Sequence, residues 1–128
     1  MDVVAVEAAS SAVRDLRRNL EDSQLWAEVV GGDARILLDT QALRHNLARV
    51  RDYAPHSQIL SMVKADAYGH GLAFALDALA DTDAFGVAFL HEARQVRVHS
   101  ALPIVLMEGV FSLEEWQEAA ALGASCVI

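Results

Sequence analysis

The stretch VKADAYGHG, residues 63–71, contains the residue types in this chain that could do chemistry. An apolar run over residues 59–63, interrupted only by Ser61, is typical of a strand buried on both faces, and it ends at Lys64. Strand-to-helix loops gather at the C-terminal ends of strands in α/β sheets and barrels, which is why ligands bind there. A lysine at such a strand end offers a primary amine, the group that can attack a carbonyl carbon. On spacing alone, a solvated lysine at the rim of a sheet is the alternative.

The same nine residues closely resemble the signature of alanine racemases, which use pyridoxal 5′-phosphate. Further segments resemble this family in the same order, and they are LRHNL at 43–47, DAFGVA at 83–88 and PIVL at 103–106. The resemblance covers residues 34–128. It implies a fold-type III enzyme that interconverts L-alanine and D-alanine through an aldimine of the cofactor and supplies D-alanine for peptidoglycan.

The resemblance also implies roles for individual residues. Lys64 would form the aldimine and, once released, act as a base on one face of the substrate Cα. Tyr68 would offer its hydroxyl to the phosphate; packing of its ring under the loop is the alternative. Met62 and Met107 would line the mouth at the strand ends and touch the cofactor ring, unless they serve only core packing.

The remaining residues of the stretch shape its backbone. Gly69 and Gly71 permit positive φ and close backbone approach, and the helix that follows is expected to present unused N–H groups at its N-terminus. His70 is expected to brace the loop through a hydrogen bond. No spacing typical of metal ligands, such as His-Glu-x-x-His, occurs among the histidines and nearby glutamates, so we predict no metal.

Composition excludes several other classes. With 18 acidic residues against 10 lysines and arginines, the net charge of −8 disfavours binding to nucleic acid or to an anionic membrane. No apolar run approaches the ~20 residues of a membrane span, and the acidic N-terminus is unlike a secretory signal. Cys126 is the only cysteine, which fits a reduced, cytoplasmic setting.

From residue 58 onward, strand and helix patterns alternate, which predicts parallel strands joined by helices. The predicted strands are 58–64, 84–89, 103–107 and 124–128, and the predicted helices are 72–80, 91–99 and 113–122. A complete (β/α)8 barrel needs ~250 residues. The predicted fold class is therefore α/β, with parallel βα repeats that form about half of a TIM-type barrel, and we expect the chain to be truncated.

The N-terminal part has a different pattern. Residues 1–31 show apolar positions at helical spacing and are predicted as a helical extension, which could be a packing arm, a partner-binding helix or unrelated sequence. Residues 34–39 are predicted as a strand with an exposed edge, and Thr40 is expected to cap a helix that Pro55 ends. We therefore divide the chain into residues 1–31 and 32–128.

Racemisation needs two bases, and this sequence offers few. The resemblance implies a homodimer in which a tyrosine from the partner subunit's C-terminal domain is the second base, whereas the tyrosines of this chain are Tyr53 and Tyr68. The alternative to an active racemase is therefore a truncated, inactive fragment with at most weak cofactor binding or a role in subunit contacts. The oligomeric state of the chain itself is left open.

Overall fold

The computed structural model describes residues 3–6, 25–29 and 34–128, and the chain divides into two compact units, residues 1–46 and residues 47–128. The first unit contains a three-stranded antiparallel sheet in which the third strand along the chain lies between the first two. Its strands are β1 (Val3–Val6), β2 (Leu25–Val29) and β3 (Ala34–Asp39). The division of the chain into residues 1–31 and residues 32–128 stays a prediction.

Two expectations for this region are wrong. Residues 3–6 and 25–29 are strands and not helix, while the other residues of the predicted helical extension lie outside the described ranges. Short apolar runs fit either periodicity, and the β-branched valines favour the strand. The strand over residues 34–39 is confirmed, but it is no edge, because β1 and β2 pair with its two sides.

Helix α1 (Thr40–Tyr53) follows β3 directly. Its cap is Asp39 and not Thr40, because Asp39 Oδ1 accepts the N–H groups of Gln41 at 2.8 Å and Ala42 at 3.1 Å. The helix ends two residues before Pro55, as expected for a residue that disfavours helix before it.

The second unit is built on a four-stranded sheet whose neighbouring strands are all parallel and lie side by side in chain order. The elements are β4 (Leu60–Met62), the short left-handed segment α2 (Lys64–Tyr68), α3 (Leu72–Ala78), β5 (Ala84–Val87), α4 (Leu90–His99), β6 (Ile104–Leu106), α5 (Leu113–Ala121) and β7 (Ala124–Cys126). A helix follows each of the first three strands of this sheet, which confirms the predicted βα repeats.

The core of this unit lies on one face of the sheet. Phe85, Val87, Ile104 and Leu106 alternate along β5 and β6 and are fully buried against the helices. The helices contribute buried side chains to the same cluster, namely Ala75, Leu76, Leu90, Ala93, Val96 and Ala119. No helix in the described parts of the chain is long and apolar enough to cross a membrane.

Candidate functional site

Lys64 lies at the C-terminal edge of the parallel sheet. The N–H of Val63 donates to the carbonyl oxygen of Gly86 at 2.9 Å, so the pairing of β4 with β5 continues one residue beyond Met62. Lys64 comes next and is partly buried. This is the position that the sequence predicts, at the end of a strand where a loop begins.

Met62 lies on the sheet face opposite the helices. A Cβ placed on Gly86 would overlap the Met62 sulfur and would lie 3.4 Å from Cγ of Leu60, so these two side chains flank Gly86. The neighbours of Gly86 along β5, Phe85 and Val87, point into the helix-covered core, and side chains alternate along a strand. We call the face that carries Leu60, Met62 and Gly86 the open face.

Met107 follows β6 directly, and its N–H donates to the carbonyl oxygen of Val87 at 2.8 Å. It is 37% exposed at the same edge of the sheet as Lys64. Because β5 lies between β4 and β6, the strand spacing of ~4.8 Å separates the Met107 backbone from that of β4 by about 10 Å. The structure thus places Met62 two residues before Lys64 in the chain and Met107 two strands away.

The backbone after Lys64 forms a left-handed turn. Ala65, Asp66, Ala67 and Tyr68 have φ of 53°, 54°, 53° and 57°, and the turn ends at Gly69 with φ 84°. Left-handed helical conformation costs roughly 1–2 kcal/mol for each residue that is not glycine. Four such residues in a row therefore need support from elsewhere in the structure.

Part of that support comes from hydrogen bonds within residues 63–71, which we call the lysine loop. The N–H of Ala67 donates to the carbonyl oxygen of Val63 at 2.9 Å, and the N–H of Gly69 donates to that of Ala65 at 3.0 Å. Nδ1 of His70 lies 2.7 Å from the carbonyl oxygen of Ala67, which confirms the expected bracing bond. Positive φ at Gly69 and at Gly71, where it is 93°, is also as predicted.

A buried carboxylate ties the lysine loop to the next strand-to-helix loop. Glu92 is 8% exposed, and its Oε1 accepts the N–H of Ala65 at 2.6 Å. Its Oε2 accepts the N–H groups of Ala88 at 2.7 Å and Phe89 at 3.0 Å. Burial raises the pKa of Glu92, but these hydrogen bonds and the nearby His91 outweigh burial and hold the pKa below its usual range.

A second carboxylate occupies the start of α3. Asp66 Oδ1 accepts the N–H of Leu72, the first residue of that helix, at 2.7 Å. The expectation of unused N–H groups there is wrong for Leu72, because an acidic side chain of the lysine loop itself takes the place an anion would fill. Tyr68 ends the turn with 59% of its surface exposed, so its ring is not packed under the loop.

Residues 38–128 match the family described as alanine racemase, N-terminal domain. The chain belongs to the alanine racemase family. It is 48% identical over 93 residues to the alanine racemase of Nitrosococcus oceani, which covers 72% of this chain and 26% of that protein. The four parallel strands and their helices correspond to the N-terminal part of an alanine racemase barrel.

Solved alanine racemases have the same fold over this region. The structure from Acinetobacter baumannii superposes with a TM-score of 0.67 at 49% identity and covers 70% of this chain and 25% of that chain. The enzyme from Bartonella henselae, solved with covalently bound pyridoxal phosphate, gives a TM-score of 0.63 at 26% identity over 70% of this chain and 27% of that chain. This member of the racemase family spans about a quarter of the length of these relatives.

Sequence reasoning missed the two carboxylates that hold the lysine loop. Glu92 is one of the glutamates near the strand ends that have no metal-ligand spacing to the histidines. Within the described ranges, no group of three or more His, Cys, Asp or Glu side chains is placed to bind a metal ion. A signal for Asp66 existed, since aspartate often accepts backbone N–H groups at the start of a helix. Glu92 is 27 residues from Ala65, and no local pattern links the two.

Proposed function

We propose that this chain serves the alanine racemase reaction, the interconversion of L-alanine and D-alanine, with Lys64 as the residue that holds pyridoxal 5′-phosphate. The observation that carries the proposal is the lysine loop, in which a lysine at the C-terminal end of a parallel strand is followed by a hydrogen-bonded left-handed turn. Lys64 is the only lysine in the sequence, so no other side-chain amine competes for this role.

The residues present suit the aldehyde end of the cofactor. That end needs a primary amine beside an apolar surface for the ring. Lys64 lies two residues after Met62, whose side chain lies on the open face. The residues near Lys64 suit the phosphate end of the cofactor less well. Tyr68 offers an exposed hydroxyl, but Asp66 takes the N–H of Leu72 and adds a negative charge nearby. We therefore expect this chain to hold the cofactor mainly through Lys64.

Pyridoxal phosphate, when bound, supplies the electron sink that makes the Cα proton of an amino acid removable. Within this chain, Lys64 Nζ would hold the aldehyde carbon, and Tyr68 Oη would donate a hydrogen bond to the phosphate. The same lysine nitrogen, when it is not bonded to the cofactor, can take the Cα proton of alanine from one face and return it there. These roles assign one base to the chain.

We expect the base for the opposite face to come from another chain, as the resemblance to alanine racemases implies, because neither tyrosine of this chain suits the role. Tyr53 lies on α1 with 81% of its surface exposed, and its hydroxyl accepts a hydrogen bond from Arg49 at 3.2 Å. Tyr68 is assigned to the phosphate. A positioned acid or base contributes roughly 10²–10⁴-fold to a rate, so we expect no measurable racemisation by the 128-residue chain alone.

Formation of D-alanine from L-alanine with added pyridoxal phosphate tests the proposal. We would measure the chain, its Lys64→Ala variant, and a chimera in which residues 38–128 replace the matching segment of the Acinetobacter baumannii racemase. Of these three proteins, we expect only the chimera to form D-alanine. Lys64→Ala introduced into the chimera should abolish this activity. A folded chimera without activity, or one whose activity survives Lys64→Ala, would overturn the proposed function and favour an inert chain that at most contributes subunit contacts.

A further inference from the structure

We propose that Glu92 is the positioning residue for Lys64, and that its carboxylate fixes the direction in which the lysine amine leaves the sheet. This inference rests on the proposed function, in which Lys64 holds pyridoxal phosphate. Glu92 belongs to α4, the helix after β5, whereas Lys64 follows β4. The residue thus acts on the lysine across two neighbouring loops.

The hydrogen bond from Ala65 acts directly on the lysine backbone. The N–H of Ala65 belongs to the planar peptide unit that also contains the carbonyl group of Lys64. When Glu92 Oε1 holds that N–H at 2.6 Å, the orientation of this peptide unit is fixed, and with it the ψ angle of Lys64. Rotation about ψ would turn the lysine loop relative to the Lys64 side chain.

The other carboxylate oxygen supplies the fixed end of this bridge. Oε2 accepts the N–H groups of Ala88 and Phe89, directly after β5. β5 is a central strand whose Phe85 and Val87 are fully buried, so the loop after it starts from a rigid point. Hydrogen bonds to an ionised carboxylate are stronger than those between neutral groups. They therefore help to hold the left-handed turn, which an alanine-rich backbone disfavours.

The bridge needs two accepting oxygens. Glutamine has the shape of glutamate, but only one end of its amide accepts hydrogen bonds. In Glu92→Gln, the NH2 group would face either the N–H of Ala65 or the N–H groups of Ala88 and Phe89. One side of the bridge is then lost while the volume of the side chain is kept.

Glu115 provides a matched control. It is the third residue of α5, as Glu92 is the third residue of α4. Its Oε2 accepts the N–H of Phe111 at 2.6 Å, in the loop before its own helix. Ser112 Oγ, in turn, accepts the N–H of Glu115 at 3.1 Å. Glu115→Gln therefore removes the same charge from an equivalent helix position without touching the lysine loop.

The test uses the 128-residue chain as wild type, Glu92→Gln and Glu115→Gln, with circular dichroism to check the fold. The first measurement is hydrogen exchange of the Ala65 amide by NMR without cofactor. The second is the ratio of pyridoxal phosphate adduct on Lys64 to adduct on the N-terminal amine. The amine condenses with the aldehyde and releases one water, and borohydride then delivers a hydride to the carbon of the new C=N bond, so a peptide map by mass spectrometry counts both adducts.

We expect Glu92→Gln to speed Ala65 exchange and to lower the adduct ratio, each by about tenfold, the scale of one lost charge-assisted hydrogen bond. Glu115→Gln should leave both values within about twofold of wild type, because its bonds stay within another loop. Glu92→Asp keeps two oxygens on a side chain one methylene shorter and should give intermediate values. If Glu92→Gln does not fold, Glu92→Asp decides on the same two measurements.

The outcomes separate the two proposals. An unchanged adduct ratio in Glu92→Gln overturns the positioning role, even if Ala65 exchanges faster, because the carboxylate would then hold the turn without directing the lysine. An equal fall in Glu115→Gln also overturns it, since the effect would be one of general charge or stability. A wild-type chain without adduct on Lys64 overturns the proposed function itself, and the role of Glu92 toward the cofactor falls with it.

Discussion

Replacing Ala65 by glycine should stabilise the chain, although the same change in an ordinary helix destabilises. Ala65 has φ 53° and ψ 50° and an exposed side chain. Glycine adopts the left-handed region without the steric cost that alanine has there, so the substitution removes a strain of roughly 1–2 kcal/mol. The greater freedom of glycine in the unfolded chain costs about 0.4–1 kcal/mol in return. The net expectation is a gain of about 0.5–1 kcal/mol in the free energy of unfolding.

Ala48 supplies the control for this prediction. It is exposed in the middle of α1 and does not have positive φ. Ala48→Gly should lower the free energy of unfolding by about 1 kcal/mol, the usual penalty for glycine inside a helix. Ala65→Val should be destabilising, because a β-branched side chain is an outlier at positive φ.

Urea unfolding followed by circular dichroism measures all three variants against the wild type. Equal slopes against urea concentration would show that the variants differ in stability and not in the surface exposed on unfolding. The reasoning is refuted if Ala65→Gly destabilises as much as Ala48→Gly, or if Ala65→Val is as stable as the wild type. Either result would mean that residues 65–68 do not form a left-handed turn in solution.

Two further predictions concern the surroundings of Lys64. A carboxyl group whose pKa is lower in the folded than in the unfolded chain stabilises the fold above the unfolded pKa, and this contribution is lost as pH falls through the folded pKa. Since the pKa of Glu92 is lowered, the free energy of unfolding should fall more steeply below about pH 4.3 in the wild type than in Glu92→Gln. Urea unfolding at a series of pH values measures this, and an equal dependence of the free energy of unfolding on pH in the two proteins would contradict it. Gly86→Ala should destabilise by roughly 1–3 kcal/mol because its Cβ meets the Met62 sulfur, and Met62→Ala should remove most of that penalty. If the effects of Gly86→Ala and Met62→Ala on the free energy of unfolding simply add in the double mutant, the Met62 side chain does not lie against Gly86.

The parts of the fold that the sequence predicts are those with local patterns. The alternation of apolar strands and amphipathic helices after residue 58 determines the parallel sheet, and the strand-end position of Lys64 follows from the apolar run before it. Positive φ at Gly69 and Gly71 is predictable from the sequence because glycine adopts it readily.

The rest depends on contacts that no local pattern carries. Alanine prefers the right-handed helix, so Ala65 and Ala67 give no sign of a left-handed turn, which relies in part on Glu92 from the next helix. The valines at residues 3–6 fit a helix face in spacing, and only their pairing with β3, about 30 residues later in the chain, makes them a strand.

The most direct test of the role assigned to Lys64 is a peptide map of the wild-type 128-residue chain after incubation with pyridoxal phosphate and borohydride. Two primary amines are available, the single lysine and the N-terminal amine. If the lysine loop is a cofactor site, the adduct lies mainly on Lys64, and absorbance near the edge of the visible range appears before reduction. Equal labelling of the two amines would contradict the proposal and make Lys64 an ordinary lysine at the rim of a sheet.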